Sequence, residues 1–557
     1  MSNVNQRLEL DKILEKIAMK AAFSLGKERV LKSEPSFSSL IVTRDLNRLR
    51  DAMALSTSYG ALSFGGIKDV HASLERASKM AVLTVEELVH IGQFLQGTHR
   101  LRNQYEKLET KYPSLDDLFF SIQDVPKLMA LIDCSFSESF EVLDGASSEL
   151  REVRRKISHM RNQIDRQTAE FLSKHKDMLS ENVVTIHHGR QTFLMKPGDK
   201  NKLDGNVLGS SASGQSVYFE PAFLSRLQND YSRLLHEEQE EIEKICRIVS
   251  ASVGSEAEQL HANLETSALL DALFAKALWG VENEGVVANL TKDSLYLKNA
   301  RHPLIDKDDV VENSYRLKPP HRMILISGPN TGGKSVTLKT IGLFVLLTMS
   351  GCPVLCDEAE IMMVDQVFVD IGDQQSIEKS LSSFSAHLDT ISHVTQNATE
   401  KSLILLDELG SQTDPLEGEA LSMALLDYFR SLNAWVVATT HFSKLKKYGT
   451  QYEDILNASV EFNMETLKPT YRYKENVLGE SNALHIAKEL GIKDSILEKA
   501  HAYKKESTYE EDHLLEILNK RIKETEDLQL ALEEKETALE ETTQKQKADY
   551  DALLKSV

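Results

Sequence analysis

Gly328-Pro329-Asn330-Thr331-Gly332-Gly333-Lys334-Ser335 is the stretch that decides the fold of the C-terminal half of this 557-residue chain. It satisfies the pattern G-x-x-x-x-G-K-[ST]. The apolar run Met323–Ile326 precedes it as a predicted strand, and Val336–Met349 follows it as a predicted helix. Glycines let backbone N–H groups approach phosphates, and the helix N-terminus adds a partial positive charge. The eight residues therefore predict a P-loop, with Lys334 on the β- and γ-phosphates and Ser335 on Mg²⁺.

A second predicted strand ends in two adjacent carboxylates. Leu403–Leu406 is apolar and leads directly into Asp407 and Glu408. One carboxylate at a strand end can simply cap a helix, whereas two on the partner strand of a P-loop favour catalysis. We expect Asp407 to orient the Mg²⁺ shell and Glu408 to polarise the attacking water. A third strand, Trp435–Thr439, is followed by Thr440 and His441, and we expect His441 to donate a hydrogen bond to the γ-phosphate.

One segment of the chain resembles a motif that selects guanine nucleotides. Asn201-Lys202-Leu203-Asp204 matches the N-K-x-D pattern that reads guanine. A guanine-reading loop should follow the P-loop and come off the same sheet, whereas this segment lies upstream. We interpret it as a chance match and expect ATP as the nucleotide.

The middle of the chain predicts two long helices around a small β-containing tip. A strongly charged helical pattern runs from Ser147 to about Leu179, and a second begins at Pro221. Between them lie the β-like segments Val183–Ile186 and Thr192–Met195 and the Gly/Ser-rich stretch Gly205–Gly214. This order predicts a lever that carries a clamp. The alternative is a coiled-coil hairpin with a disordered tip.

Charge is unevenly distributed. The whole chain carries a formal net charge of -20, so contact with nucleic acid requires a local basic patch. Residues 151–204 hold twelve Lys or Arg against seven Asp or Glu, which is typical of a clamp that contacts phosphates. The alternative is a solvated helix with i,i+4 ion pairs. The candidate contact residues are Arg154, Arg155, Arg161, Arg190, Lys196 and Lys200.

Targeting signals are lacking at the level of sequence. Met1–Leu10 is polar rather than a secretory signal, and the longest apolar run, Ile341–Met349, is far shorter than a membrane span. We therefore expect a cytoplasmic protein with no membrane partner.

Together these motifs resemble the ATPase domain of the MutS proteins, an ABC-type ATPase. The resemblance rests on the P-loop, Asp407-Glu408-Leu409-Gly410, Thr439-Thr440-His441 and Arg301-His302-Pro303. A closer resemblance to the second bacterial MutS subfamily rests on further segments that span nearly the whole chain. They are Phe64-Gly65-Gly66, Ser210-Ser211-Ala212-Ser213-Gly214-Gln215, Phe219-Glu220-Pro221, Asp370–Ile377, Ser382–Ser385 and Gly410–Pro415.

The resemblance implies a multidomain fold of α plus α/β type. A helical core (1–145), an ascending lever helix (146–182), a clamp (183–217) and a descending lever with core helices (218–285) would come first. An ABC-type ATPase domain (286–505) and a coiled-coil-like linker (506–557) would follow. The subfamily usually continues into a small Smr domain after the linker, and this chain stops before it. We therefore expect no nuclease activity from these residues.

The resemblance also implies a homodimer that uses ATP and Mg²⁺. The serine that matches the ABC signature, Ser382, would reach the γ-phosphate held by the partner's P-loop, unless Ser380–Ser385 is merely a polar helix start. The segment that wedges into mismatched DNA in repair MutS proteins has no counterpart here, so mismatch recognition is not expected. We expect the dimer to grip collided or stalled ribosomes and to use ATP to split them, because the clamp offers no base-reading pattern. The alternative is binding branched DNA to suppress recombination. A structural coiled-coil protein with a vestigial site is a third hypothesis, which Lys334, Ser335, Asp407 and Glu408 argue against.

Overall fold

The computed structural model describes residues 2–60, 62–329, 333–372, 383–411, 413–463, 468–479, 487–488 and 491–507. The helices, in chain order, are α1 (Ser2–Arg7), α2 (Leu10–Ala18), α3 (Ser24–Leu31), α4 (Ser39–Tyr59), α5 (His71–Ser78), α6 (Val85–Glu106), α7 (Asp116–Ser121), α8 (Pro126–Ser135), α9 (Ser148–Lys174), α10 (Ala222–Ser255), α11 (Ala257–Glu282), α12 (Lys334–Met349), α13 (Ser383–Asn397), α14 (Pro415–Ser431), α15 (Ser443–Thr450) and α16 (Asp494–Ser507).

The strands form three sheets. In chain order they are β1 (Leu179–His187), β2 (Arg190–Met195), β3 (Gly205–Ser210), β4 (Val217–Pro221), β5 (Asn289–Thr291), β6 (Leu295–Ala300), β7 (Asn313–Leu317), β8 (Met323–Ser327), β9 (Glu358–Met362), β10 (Val367–Asp370), β11 (Leu403–Leu406), β12 (Trp435–Thr439), β13 (Ile455–Asn463) and β14 (Lys468–Glu475). The sheet orders are β1-β2-β4-β3, β5-β9-β6-β7 and β10-β11-β12-β8-β13-β14.

The chain divides into two compact units. One comprises Met1–Lys20, Glu28–Ala61 and Ala272–Val557, and the other comprises Ala21–Lys27 and Leu62–Asp271. This partition differs from a single helical core over 1–145, because the first helices belong to the unit that holds the P-loop. The physical reason is visible at Gly342 of α12, where an added Cβ would lie 2.4 Å from Leu405 Cδ1 and 2.9 Å from Leu8 Cδ1. A glycine there lets α12 pack tightly between β11 and the N-terminal helices.

The six-stranded sheet positions the predicted site. Strands β10, β11, β12, β8 and β13 run parallel, and only β14 is antiparallel. Strands β8, β10, β11 and β12 are buried along their whole length, as expected for parallel strands covered by helices on both faces. The strands predicted at Met323, Leu403 and Trp435 are therefore confirmed. Because all five are parallel, their carboxyl ends meet at one edge, where ligands bind in open α/β sheets.

The other unit contains two long antiparallel helices, α9 and α10, joined through the sheet β1-β2-β4-β3; we call these elements the arm. Phe193 and Phe219 of the sheet pack with Phe171 of α9 and Leu224 of α10 in one buried cluster. The tip is therefore folded, and the alternative of a disordered tip is wrong.

Two strands of the tip, β3 and β4, were not predicted from the sequence. Gly205–Ser210 reads as a Gly/Ser-rich stretch, yet it forms β3 and pairs with β4. A Cβ on Gly205 would lie 2.5 Å from Phe219 Cζ, so this glycine admits the aromatic ring rather than marking a loop.

Among the described residues, none of the helices combines the length and apolar character needed to cross a membrane. The predicted coiled-coil-like linker lies almost wholly in 508–557, outside the described residues.

Candidate active site

Three neighbouring strand ends bring the predicted site residues to one edge of the sheet. Gly328 follows β8, and Asp407 and Glu408 follow β11. His441 is the second residue after the end of β12. The pairing of β12 with both β11 and β8 makes these ends adjacent. Asn330, Thr331 and Gly332 of the P-loop lie outside the described residues, as does Ser382.

Both described ends of the P-loop use conformations that favour glycine. Gly328 has φ 131° and Gly333 has φ 97°, in the region that side chains rarely adopt. Gly333 is also the N-cap residue of α12, so the helix begins at Lys334. The described flanks are thus a strand that ends at Ser327 and a helix that begins at Lys334, and a helix N-terminus is a site that favours anions.

Lys334 is the most buried cation of the site, with 2% of its surface exposed. Its Nζ donates a hydrogen bond to the Gly328 carbonyl oxygen at 2.7 Å. Burial lowers the pKa of Lys334, and the negative charges of Glu408 and Asp407 oppose that shift. Lys334 thus lies close enough to both carboxylates for their charges to affect its pKa, and its bond to Gly328 holds its side chain within the P-loop.

Thr439, at the end of β12, holds the two carboxylate residues in place. Its hydroxyl donates to Asp407 Oδ1 at 2.5 Å and accepts from the Glu408 backbone N–H at 2.7 Å. The backbone of Asp407 is fixed independently, since its N–H donates to the Asp370 carbonyl at 2.8 Å. This role was not predicted, although Thr439 belongs to the motif Thr439-Thr440-His441.

Glu408 adopts an unusual backbone conformation. Its φ is 50°, in the left-handed region that costs a non-glycine residue of order 1 kcal/mol or more. Such strain persists only where neighbouring contacts impose it, and here the bond from its N–H to Thr439 does so. The side chain of Glu408 is half-buried, which suits a base that must reach a water molecule at the edge of the sheet.

His441 lies on the exposed side of the same edge. Partial desolvation lowers its pKa, and the positive charge of Lys334 adds to that effect, while Glu408 opposes it. The imidazole is therefore neutral at pH 7 and has one N–H to donate.

A buried hydrogen-bond chain behind the P-loop was not predicted. Lys446 Nζ donates to the Gly479 carbonyl at 2.6 Å, and the Gly479 N–H donates to Ser327 Oγ at 2.8 Å. A Cβ on Gly479 would lie 2.8 Å from the backbone nitrogen of Gly328, so only glycine fits there. No local sequence pattern announces Gly479, because its constraint comes from residues far away in the chain.

An aromatic side chain also flanks the P-loop. A Cβ on Gly333 would lie 2.8 Å from Tyr471 Cδ1, so the Tyr471 ring packs against this glycine. Beside Tyr471, a cavity of about 640 Å³ is lined partly by Val310, Phe462 and Arg472. An aromatic ring against a glycine of the phosphate loop is suited to packing against the base or sugar of a nucleotide.

The donor set fits Mg²⁺. Asp407 offers a carboxylate whose Oδ1 is oriented by Thr439, and Ser335 offers a half-buried hydroxyl in the first turn of α12. Hard oxygen donors of this kind, together with phosphate oxygens, are what Mg²⁺ prefers.

The six candidate contact residues of the arm separate into two groups. Arg154 pairs with Glu238 at 2.7 Å and with Asp144 at 2.5 Å, and Arg190 pairs with the buried Glu220 at 2.8 Å. Lys196 donates to the Asp177 carbonyl at 2.7 Å. These three hold the arm together. Arg155, Arg161 and Lys200 are exposed, and their charges face solvent.

The charge of the arm changes once both helices are counted. Residues 151–255 contain sixteen Lys or Arg and fourteen Asp or Glu, because α10 is rich in glutamate. Glu238 of α10 pairs with Arg154 in the basic half of α9, whereas other glutamates of α10 pair within their own helix. The positive character predicted from 151–204 is therefore local rather than a property of the whole arm.

Comparison with known proteins identifies the family. Residues 324–508 match the family profile of MutS domain V. The chain is 36% identical over 552 residues to "Endonuclease MutS2" of Clostridioides difficile (strain 630), covering 98% of this chain and 69% of that protein. It is 33% identical over 559 residues to the protein of the same name from Halothermothrix orenii, covering 98% and 70%. With that of Shouchella clausii it shares 38% identity over 510 residues, covering 90% and 64%. The resemblance read from the motifs is confirmed, and the chain belongs to the MutS2 family.

Proposed function

We propose that this protein is an ATP hydrolase whose chemistry takes place at the carboxyl edge of the six-stranded sheet. The observation that carries the proposal is the convergence of Lys334, Asp407 and Glu408 on neighbouring strand ends, with the lysine charge felt by both carboxylates. A buried cation beside two carboxylates, at the start of a helix, is suited to the charge that develops during phosphoryl transfer.

Each side chain has a distinct task in this proposal. Lys334 binds the β- and γ-phosphates, and Glu408 orients and polarises the attacking water. Thr439 keeps Glu408 in its strained conformation and fixes the Asp407 carboxylate. The neutral imidazole of His441 donates its hydrogen bond to the γ-phosphate. Asp407 and Ser335 would hold Mg²⁺, which neutralises charge on the phosphate oxygens when bound. Tyr471 would pack against the base or the sugar.

We further propose that the active unit is a homodimer. Ser382 would complete the site of the partner subunit, as the family resemblance implies. The described part of α13 begins at the next residue, so this helix would carry the signature serine toward the second copy.

For the target we propose a collided or stalled ribosome, which the arm grips and which ATP hydrolysis splits into subunits. Support comes from the folded tip and from Arg155, Arg161 and Lys200, which remain exposed while neighbouring cations are used internally. Dispersed cations on a largely acidic body suit a bulky partner with many contacts better than one continuous duplex. Branched DNA is the alternative target, and lasting retention on it alone would contradict the ribosome proposal.

A trapping experiment tests both levels. The variant Glu408→Gln should bind ATP without turnover, and after incubation in lysate we expect it to sediment with disomes. Glu400→Gln, which changes an exposed glutamate of the same unit, is the matched control and should hydrolyse ATP normally. Retention of the trap on four-way DNA junctions but not on ribosomes would overturn the target. An ATPase rate unchanged by Lys334→Ala would overturn the enzyme itself.

A further inference from the structure

A second cavity lies in the same unit, on the outer side of the edge strand β10. Its volume is about 470 Å³, which is in the range of small-molecule sites. Residues from α1, from the segment before α4, from β10 and from α13 line it. None of the residues assigned to phosphate binding or catalysis lines this cavity.

One wall of the cavity is apolar. Phe37, Leu346, Val367 and Val394 all line it, and the last three are almost fully buried. A hydrocarbon group placed against this wall would leave water for an apolar environment and would cover the half-buried Phe37.

The lining also carries a cation and a strand edge. Arg7 lines the cavity, and its Nη1 donates to the Val369 carbonyl at 2.6 Å. The carbonyls of Gln366 and Asp370 accept from β11, so the polar backbone groups of Val367 and Val369 point the other way, toward Arg7. The guanidinium has five N–H groups, and the bond to Val369 uses one of them. A carboxylate can therefore meet charge and directed donors at this part of the lining.

We propose that this cavity binds a small aromatic carboxylate, with its carboxylate on Arg7 and its ring against Phe37 and Val394. Asp389 and His393 stand on exposed positions of α13 at the rim. Because Asp389 is exposed, water and salt ions screen the repulsion between its negative charge and the bound carboxylate. The occupant is therefore an amphipathic monoanion rather than a nucleotide, whose phosphates need more than one cation.

The cavity also communicates with the catalytic edge. Its β10 wall ends at Asp370, whose carbonyl accepts from the Asp407 N–H and whose carboxylate contacts His387 of α13. A ligand wedged between β10 and α13 would change the relative position of these two elements, and so the rate of ATP hydrolysis. This regulatory half of the inference rests on the proposed function, whereas the binding half does not.

Titration calorimetry of the full chain with 2-naphthoate tests the site. We expect saturable one-to-one binding, weakened at least about tenfold by Arg7→Gln, which removes the charge. Val4→Trp places a bulky indole ring at a half-buried lining position and should also weaken binding at least about tenfold. Lys16→Gln is the matched control, because Lys16 also donates to a carbonyl, that of Pro303, but does not line the cavity. Its affinity should stay within about twofold. The neutral probe 2-naphthol should bind more weakly than the anion.

The outcomes separate cleanly. Absence of binding at millimolar 2-naphthoate, or equal binding to the wild type and Val4→Trp, overturns the site. If either variant melts at a lower temperature, Asn5→Trp supplies a second blocking change in the same wall. Binding with an unchanged ATPase rate overturns the regulatory half alone. A chain that binds 2-naphthoate but never hydrolyses ATP contradicts the proposed function and leaves the site in place.

Discussion

Thr439→Val is the sharpest probe of the catalytic arrangement. The change keeps the shape of the side chain but removes a hydroxyl that bonds to two residues at once. Glu408 loses the acceptor for its backbone N–H, and Asp407 loses a donor to its carboxylate. Thr439 is fully buried, so water does not readily replace either bond.

The magnitude follows from the two bonds. A hydrogen bond to a charged group contributes about 1.5–3 kcal/mol, and an unsatisfied buried donor costs about 1–3 kcal/mol. If about 2 kcal/mol of this loss falls on the transition state, kcat drops roughly 30-fold. KM for ATP should change little, because the lysine and the P-loop that bind the phosphates are untouched.

Steady-state ATPase kinetics check this expectation, with a thermal melt of each variant to exclude unfolding. Thr439→Ser keeps the hydroxyl and should retain most of the wild-type kcat. A Thr439→Val enzyme with wild-type kcat would refute the idea that this hydroxyl positions Glu408. An equal loss in Thr439→Ser would show that the methyl group, rather than the hydroxyl, is what matters.

Three further predictions concern binding, pH dependence and stability. Gly479→Ala should raise the dissociation constant for ATP at least about tenfold, because its Cβ would lie only 2.8 Å from the backbone nitrogen of Gly328. The control Gly198→Ala places its Cβ in open space and should leave the constant unchanged. Titration with a fluorescent nucleotide measures both variants. Burial raises the pKa of Asp271 from 3.8 to about 6, so the folded chain holds this proton more tightly than the unfolded chain does. The proton on Asp271 therefore stabilises the fold fully below pH 3.8. The free energy of unfolding falls by about 3 kcal/mol as the pH rises from there through about 6. Asp271→Asn should remove that slope from a series of denaturant midpoints, and an identical slope in both proteins would contradict the assignment. Arg154→Ala should lower the free energy of unfolding by about 1 kcal/mol, because its ion pairs with Asp144 and Glu238 are lost. Arg155→Ala, at an exposed position, should change it by less than about 0.5 kcal/mol. Equal melting temperatures of the two variants would refute the view that Arg154 stabilises the arm and Arg155 does not.

The chemistry of the site was readable from sequence because local motifs encode it. A P-loop needs its glycines and lysine within eight residues, and strand ends place Asp407 and Glu408 by the simple rule that parallel strands share an edge. The roles of these residues stay predictions, but their convergence is a geometric fact of the sheet.

The supporting residues could not be found in the same way. Ser327 and Gly479 are 152 positions apart. They meet because β13 pairs both with β8 and with β14, the strand that precedes Gly479. Likewise, the conformation of Glu408 depends on Thr439, which belongs to another strand. Such constraints are set by packing across the chain, and no spacing pattern carries them.

The count of charged residues predicted the contact residues of the arm poorly. The excess of basic residues over 151–204 predicted six contact residues, yet Arg154, Arg190 and Lys196 are used inside the arm. A count along one helix misses the acids on its antiparallel neighbour, so only the folded pair of helices reveals which cations are left for a partner.

The length of α10 has a mechanical consequence. Its 34 residues span about 50 Å at 1.5 Å per residue. A rotation of about 5° at one end of so long a rod displaces the other end by about 4 Å, more than the length of a hydrogen bond. Because α9 packs alongside it over much of that length, the pair resists bending, and an angular change is transmitted rather than absorbed. Sub-ångström adjustments at the base of the rod can thus become a displacement at the tip large enough to break or make a contact with whatever the tip holds.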